Sequence, residues 1–282
     1  MDRYRAGVAP SGIPLTVGHR GASAMAPGNT LLAISVAISY RLDYVEVDVH
    51  LSRDGQLVVH HDDDVVDALG VRTGVNTLTA AELAAIPNGT GHGVPTLAAV
   101  LALARDRIGV YVELKAPGTG QELGALVGRN PGSTALICGS FVPEYLAEVR
   151  RDAPSLPRSM LVRSTAPATI IEMSEDVAAT YAHPCARPVT ARMIWELHDA
   201  GFKVMTPHTN SRYEALEFWR FGADVIASDD PRVLTPLPRP ARRHRWPTRR
   251  QHPVPPSSSI RGPGSTSRVR RRAGPSPHRT IA

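Results

Sequence analysis

The sequence predicts an α/β chain folded as a small (β/α)8 TIM barrel with a disordered Arg/Pro-rich C-terminal tail. Three observations carry that prediction. From about Pro14 to Pro231, apolar runs with strand character alternate with helical patterns, the mark of a parallel sheet with helical crossovers. About eight such units fit into roughly 220 residues, the size of a small barrel. Charged and imidazole side chains recur at the ends of the apolar runs, where barrels of this kind collect their chemistry. An open doubly wound sheet is the alternative, weakened because no G-x-G-x-x-G follows the first strand.

Taken in order, the first strand is Leu15–Gly18, and Asn29-Thr30 caps a helix over Leu31–Tyr40. Strands follow at Tyr44–Val49 and Leu57–His60. Thr79-Ala-Ala-Glu82 is a capping box that opens the next helix. A helix over Thr96–Arg105 leads to strands Gly109–Leu114 and Ala135–Ser140, then a helix over Pro143–Arg151. Strands at Ser159–Val162 and Val177–Tyr181 precede a helix over Thr190–Ala200. The strand Lys203–Thr206, the helix Arg212–Phe221 and the strand Asp224–Ala227 complete the pattern. This divides the chain into a flexible N-terminus (1–14), the barrel (15–234) and a basic tail (235–282).

Composition narrows the class of protein. The hydrophobic content of 42% supports a substantial core. No apolar run reaches the roughly 18 residues of a membrane span, and the N-terminus lacks an apolar signal core. Cys138 and Cys185 are the only cysteines and neither lies in a CxxC, which reads as a reduced cytoplasmic protein. Cys138, in an apolar run, is expected in the core. Residues 1–230 hold 19 Lys and Arg against 26 Asp and Glu, a net of −7, whereas 13 arginines and no acidic residue follow Asp230. The high isoelectric point therefore belongs to the tail. Without apolar periodicity the tail cannot offset its ordering entropy. Its arginines could meet nucleic acid or an anionic membrane, or it could be a solvated appendage.

The chemistry lies in Val17-Gly-His19-Arg20-Gly21, Glu46-Val-Asp48, His61-Asp62 and Glu113-Leu-Lys115. Two histidines can move protons near neutral pH. Carboxylates can hold a divalent cation, and the cationic side chains can neutralise phosphate oxygens. Glu46 and Asp48 are two apart on a strand and so share one face. Two carboxylates inside a barrel are costly unless a positive charge lies between them, and a metal is the simplest answer. The inventory suits hydrolysis of a phosphate diester.

Together these segments resemble the glycerophosphodiester phosphodiesterase family of metal-dependent (β/α)8 barrels, over about Thr16 to Pro231. Further matching pieces are Pro27-Gly-Asn29-Thr30, Asp54-Gly55, Pro95-Thr96-Leu97, Ser140-Phe141 and Gly222-Ala-Asp224 through Asp229-Asp-Pro231. The resemblance implies that His19 and His61 form an acid and base pair, with His60 packing beside the site. It implies that Glu46, Asp48 and Glu113 hold one divalent cation, Mg2+ or Ca2+, favoured over zinc by all-oxygen ligation. Arg20 and Lys115 would grip the substrate phosphate. The expected reaction is hydrolysis of glycerophosphodiesters, such as deacylated phospholipid head groups, to an alcohol and glycerol 3-phosphate.

The match departs from the family at three places. Gly28 stands where the family has glutamate, the late aromatic of its Trp-Thr-Val-Asn strand is absent from Met205–Asn210, and Asp63, Asp64 and Asp67 make the segment after His61 unusually acidic. These departures leave two alternatives: a catalytically impaired barrel retained as a binding protein, or a phosphodiesterase acting on lysophospholipids. The remaining histidines, His92, His183, His198 and His208, read as structural or surface, with His208 a candidate for the barrel mouth.

Overall fold

The computed structural model describes residues 12–87, 93–129 and 134–235. The tail (235–282) expected to be disordered and the N-terminus (1–14) expected to be flexible lie almost wholly outside the described residues, as does His92.

Eight parallel strands form the barrel: β1 (Leu15–Gly18), β2 (Tyr44–Leu51), β6 (Gly109–Leu114), β7 (Leu136–Ser140), β8 (Arg158–Val162), β9 (Tyr181–Pro184), β10 (Lys203–Val204) and β11 (Val225–Ser228). They neighbour one another in that order, and β11 pairs back onto β1. A bridge between Met205 and Val225 joins the last two strands. Outside the ring run α1 (Leu31–Ser39), α3 (Leu97–Ala104), α4 (Thr119–Arg129), α5 (Pro143–Asp152), α6 (Pro167–Asp176), α7 (Ala191–Asp199), α8 (Arg212–Phe221) and the short α9 (Pro231–Leu234).

Leu57–His60 is not a barrel strand. The chain there forms β3 (Leu57–Val59), which pairs antiparallel with the overhanging end of β2, Val49 opposite Val59. It opens an excursion above the barrel mouth that contains the hairpin β4 (Asp64–Val66)–β5 (Arg72–Gly74) and α2 (Ala80–Ala85). The Thr79–Glu82 capping box opens α2 as expected. The strand expected at Val177–Tyr181 begins only at Tyr181, because Val177 ends α6 and buries its side chain from the helical layer.

Strand residues alternate between two cores. Outward side chains such as Val45, Val47, Val110 and Val112 pack under the helices. Inward ones, including Val17, Tyr44, Tyr111, Leu161 and Tyr181, fill the barrel. Gly139 makes room for Tyr111, whose hydroxyl occupies the space a Cβ would need. Cys138 is fully buried and unpaired, and burial pushes its thiol up to about 12.

Candidate active site

The register of β2 against β6 builds the centre of the site. Glu46 lies opposite Tyr111, and Asp48 lies opposite Glu113. Because alternate residues share a face, all four side chains enter the barrel in two adjacent rows. One ligand oxygen from each of Glu46, Asp48 and Glu113 falls within 4.8 Å of the others. Glu46 and Asp48 are buried, 3% and 2% exposed. Burial, reinforced by Asp48 and Glu113, raises the Glu46 carboxyl well above its ordinary range. Glu113 is raised by burial and by Asp48, against the opposing pull of Lys115.

Cations and donors surround the three carboxylates. Lys115 Nζ is 3.1 Å from Glu113 Oε1 and 3.5 Å from Asp48 Oδ1. Arg20 Nε lies 3.4 Å from Asp48 Oδ2, and the Arg20 backbone N–H donates to Glu46 Oε2 at 2.8 Å. Arg20 and Asn29 both take left-handed backbone conformations, φ 52° and 60°. Glu46 Oε1 is buried and accepts no hydrogen bond among the described residues. An orphaned carboxylate oxygen in an oxygen-only cluster fits a hard divalent cation. These residues could hold such an ion.

The register of β1 against β11 brings in His19. Gly18 pairs with Ser228, so His19 and Asp229, the residues that follow the two strands, emerge side by side at the mouth. His19 Nδ1 is 2.7 Å from Asp229 Oδ1, and its Nε2 is 3.9 Å from Glu46 Oε2. Burial opposes it, but hydrogen bonds from His19, Ser23 and Asn210 hold the Asp229 carboxyl below the usual carboxylate range. His208 stacks on His19, ring centroids 4.2 Å apart and planes 6° from parallel. It thus takes the mouth-facing place open to it in the sequence. A mouth cavity of about 480 Å³ is lined by His19, Arg20, Ser23, Gly28, His208, Asn210 and Asp229.

His61 stands apart. It lies just beyond β3, its side chain 39% exposed, with Nδ1 2.7 Å from Asp62 Oδ1. Among the described residues it makes no hydrogen bond or ion pair to His19 or to the carboxylates. Asp62 and Asp63 face solvent, their side chains 67% and 95% exposed, so they do not crowd a phosphate at the centre. His60 Nε2 meets the Asp64 carbonyl at 3.0 Å.

His183, which the sequence leaves as structural or surface, lies inside the barrel. With Glu46, Tyr111 and Glu113 it lines a cavity of about 40 Å³ beneath the carboxylates. Nε2 meets the Thr206 carbonyl at 3.1 Å, and burial pushes the imidazole down to about 4, so it is neutral at pH 7. Its inward direction follows from the true start of β9, which the apolar Val177–Ala179 run disguises in the sequence.

Residues 19–233 match the glycerophosphoryl diester phosphodiesterase family. The chain belongs to that family. It is accordingly a phosphoric diester hydrolase. Bacillus subtilis YhdW is 30% identical over 230 residues, covering 76% of this chain and 94% of that protein. The glycerophosphodiester phosphodiesterase of Caldanaerobacter subterraneus is 29% identical over 242 residues, covering 80% and 98%. A phosphodiesterase of Oleispira antarctica, solved in complex with its product sn-glycerol-3-phosphate, superposes with a TM-score of 0.71 at 27% identity, covering 78% of this chain and 94% of that one. The glycerophosphodiester phosphodiesterase of Agrobacterium tumefaciens gives 0.67 at 28%, covering 78% and 99%. Among the described residues, no helix is long and apolar enough to cross a membrane.

Proposed function

We propose that this family member hydrolyses glycerophosphodiesters to an alcohol and glycerol 3-phosphate, using one divalent cation, Mg2+ or Ca2+, and two histidines. The observation that carries this reading is the convergence of Glu46, Asp48 and Glu113 within 4.8 Å beside Arg20, Lys115 and His19, with Glu46 Oε1 left unpartnered. The product held by the Oleispira antarctica relative supports the substrate class.

Glu46, Asp48 and Glu113 would hold the cation, which when bound supplies Lewis acidity at the phosphoryl centre. Lys115 and Arg20 balance the negative charge of this cluster and would turn toward the phosphate oxygens, Arg20 through its fork and Lys115 as a point charge. His19 and His61 would move the two protons, one from the nucleophile and one to the leaving alkoxide. Each positioned acid or base contributes about 10²–10⁴-fold. The cysteine usage supports a cytoplasmic location.

A lysophospholipid substrate is a second reading, favoured by the β4–β5 hairpin. Directly after His61 it exposes Val66, Leu69 and Val71 at 47%, 89% and 54%, an apolar tip that a water-soluble diester does not require.

The test is glycerol 3-phosphate release from glycerophosphocholine and glycerophosphoethanolamine with EDTA, Mg2+ or Ca2+, for the wild type and His61→Ala. Cation-dependent release that the variant loses is the expected result. A well-folded wild type that cleaves neither of these nor lysophosphatidylcholine with either cation would overturn the reading and leave a binding protein. Cleavage of lysophosphatidylcholine alone, read as choline release, would select the second reading.

A further inference from the structure

We propose that His19, His208 and Asp229 form a second cation site, one for a transition ion of the zinc class, and, resting on the function proposed above, that its occupation switches hydrolysis off. Two imidazoles and one carboxylate offer ligand atoms within 4.8 Å of one another at the barrel mouth. This donor set differs in kind from the carboxylate cluster. Three oxygens suit Mg2+ or Ca2+, whereas imidazole nitrogen suits Zn2+, Cu2+ and Ni2+. Two histidines and a carboxylate, with a fourth position left to water, form a recurrent zinc ligand set.

The fold brings the three residues together from distant segments. His19 follows β1 and Asp229 follows β11, and the register of those strands sets them side by side. His208 comes from the segment after β10, where its backbone carbonyl accepts from Arg187 at 2.8 Å. Its exposed ring lies flat on the His19 ring. Zinc bonds of about 2.0–2.2 Å set tetrahedral ligand atoms about 3.4 Å apart. Closing to that spacing asks for one main movement, a swing of the His208 ring out of its stack, which its exposure permits.

Asp229 is already aimed. Its Oδ1 accepts from Ser23 Oγ at 2.6 Å and its Oδ2 from Asn210 Nδ2 at 2.8 Å, the kind of outer hydrogen bonds that orient a ligating carboxylate. His19 Nδ1 lies 2.7 Å from Asp229 Oδ1, so an ion here takes the place of the hydrogen they share. The other ring nitrogen, Nε2, faces Glu46 at 3.9 Å. The two cation sites therefore lie at opposite edges of one imidazole.

That placement makes the second site inhibitory. An ion on Nδ1 immobilises His19, whichever proton the ring moves. It also stands in the mouth cavity of about 480 Å³, where a diester would enter.

The test uses the full chain in saturating Mg2+, with Co2+ as a spectroscopic stand-in for Zn2+. The wild type should show the strong visible bands of four-coordinate cobalt, which six oxygen ligands do not give. His208→Ala should lose those bands, and Glu46→Gln should keep them. In glycerophosphocholine hydrolysis, with each protein compared against its own zinc-free rate, His208→Ala should need about tenfold more Zn2+ or higher for half inhibition. The other histidines are common to both proteins and cancel in the comparison. Bands that survive His208→Ala, or that vanish in Glu46→Gln, would put the ion elsewhere and overturn the site. Equal zinc sensitivity of wild type and His208→Ala would overturn the switch. An inactive wild type whose cobalt bands still depend on His208 would overturn the proposed function and the switch, and would support the site.

Discussion

Asn29 grips Asp48 at both ends: its Nδ2 donates to Asp48 Oδ2 at 2.8 Å, and its Oδ1 accepts from the Asp48 backbone N–H at 3.2 Å. The pair joins the β1–α1 loop to β2. The next residue, Thr30, caps α1 by accepting from the Ala33 N–H at 3.1 Å. One short segment therefore starts a helix and aims a carboxylate. Loss of such a supporting hydrogen bond costs about 10–100-fold in metal affinity. Asn29→Ala should weaken Mg2+ or Ca2+ binding by that factor in titration calorimetry, with the far-ultraviolet spectrum unchanged.

The carboxylate cluster makes the metal-free protein sensitive to pH. Glu46 and Glu113 have raised pKa values, first through burial and then through their acidic neighbours. The folded state thus holds their protons more tightly than the unfolded chain, whose glutamates titrate near 4.5. Their contribution to stability is full below that pH and is lost as pH rises through the folded values. In EDTA, melting temperature should fall with rising pH more steeply for the wild type than for Glu46→Gln. The increase produced by a divalent cation should grow over the same range. Parallel wild-type and Glu46→Gln curves in EDTA would contradict this account.

Gly28 lies against Arg20. A Cβ built there would stand 3.1 Å from Arg20 Cβ and 3.3 Å from Ser23 Cβ, tight enough to make the neighbours shift. Gly28→Ala should cost about 1 kcal/mol of stability. By displacing Arg20 it should raise KM more than it lowers kcat, which steady-state kinetics on glycerophosphocholine would resolve.

The opposite end of the barrel carries stability instead of chemistry. Arg158, 7% exposed, donates to the carbonyls of Pro154, Leu156, Val177 and Ala178 at 2.9 to 3.1 Å. Arg158→Met leaves buried carbonyls without a donor and should cost about 1–3 kcal/mol in denaturant unfolding. Activity per folded molecule should not change.

Much of this molecule is legible along the chain because the signals are local. Strand alternation, the Thr30 and Thr79 caps and the i, i+2 spacing of Glu46 and Asp48 depend on neighbours a few residues away. Local reading failed where tertiary contact overrode propensity. The helix α4 was missed because Gly120, Gly124 and Gly128 weaken its pattern. Gly120 and Gly124 are there because α5 packs so close that Cβ atoms would meet Tyr145 and Asp152. The helix α6, also missed, ends in the apolar Val177, which made its last turn look like a strand.

The sequence by itself determined the barrel, its family and the residues that carry charge at its mouth. Only the tertiary structure decided which of them meet. Asp229 reaches His19 across 210 residues, and His183 turns into the barrel beneath Glu46 and Glu113. The physical reason is strand register. Which side chain faces which is set by hydrogen bonds between strands distant in sequence, and no spacing along one chain segment records that pairing.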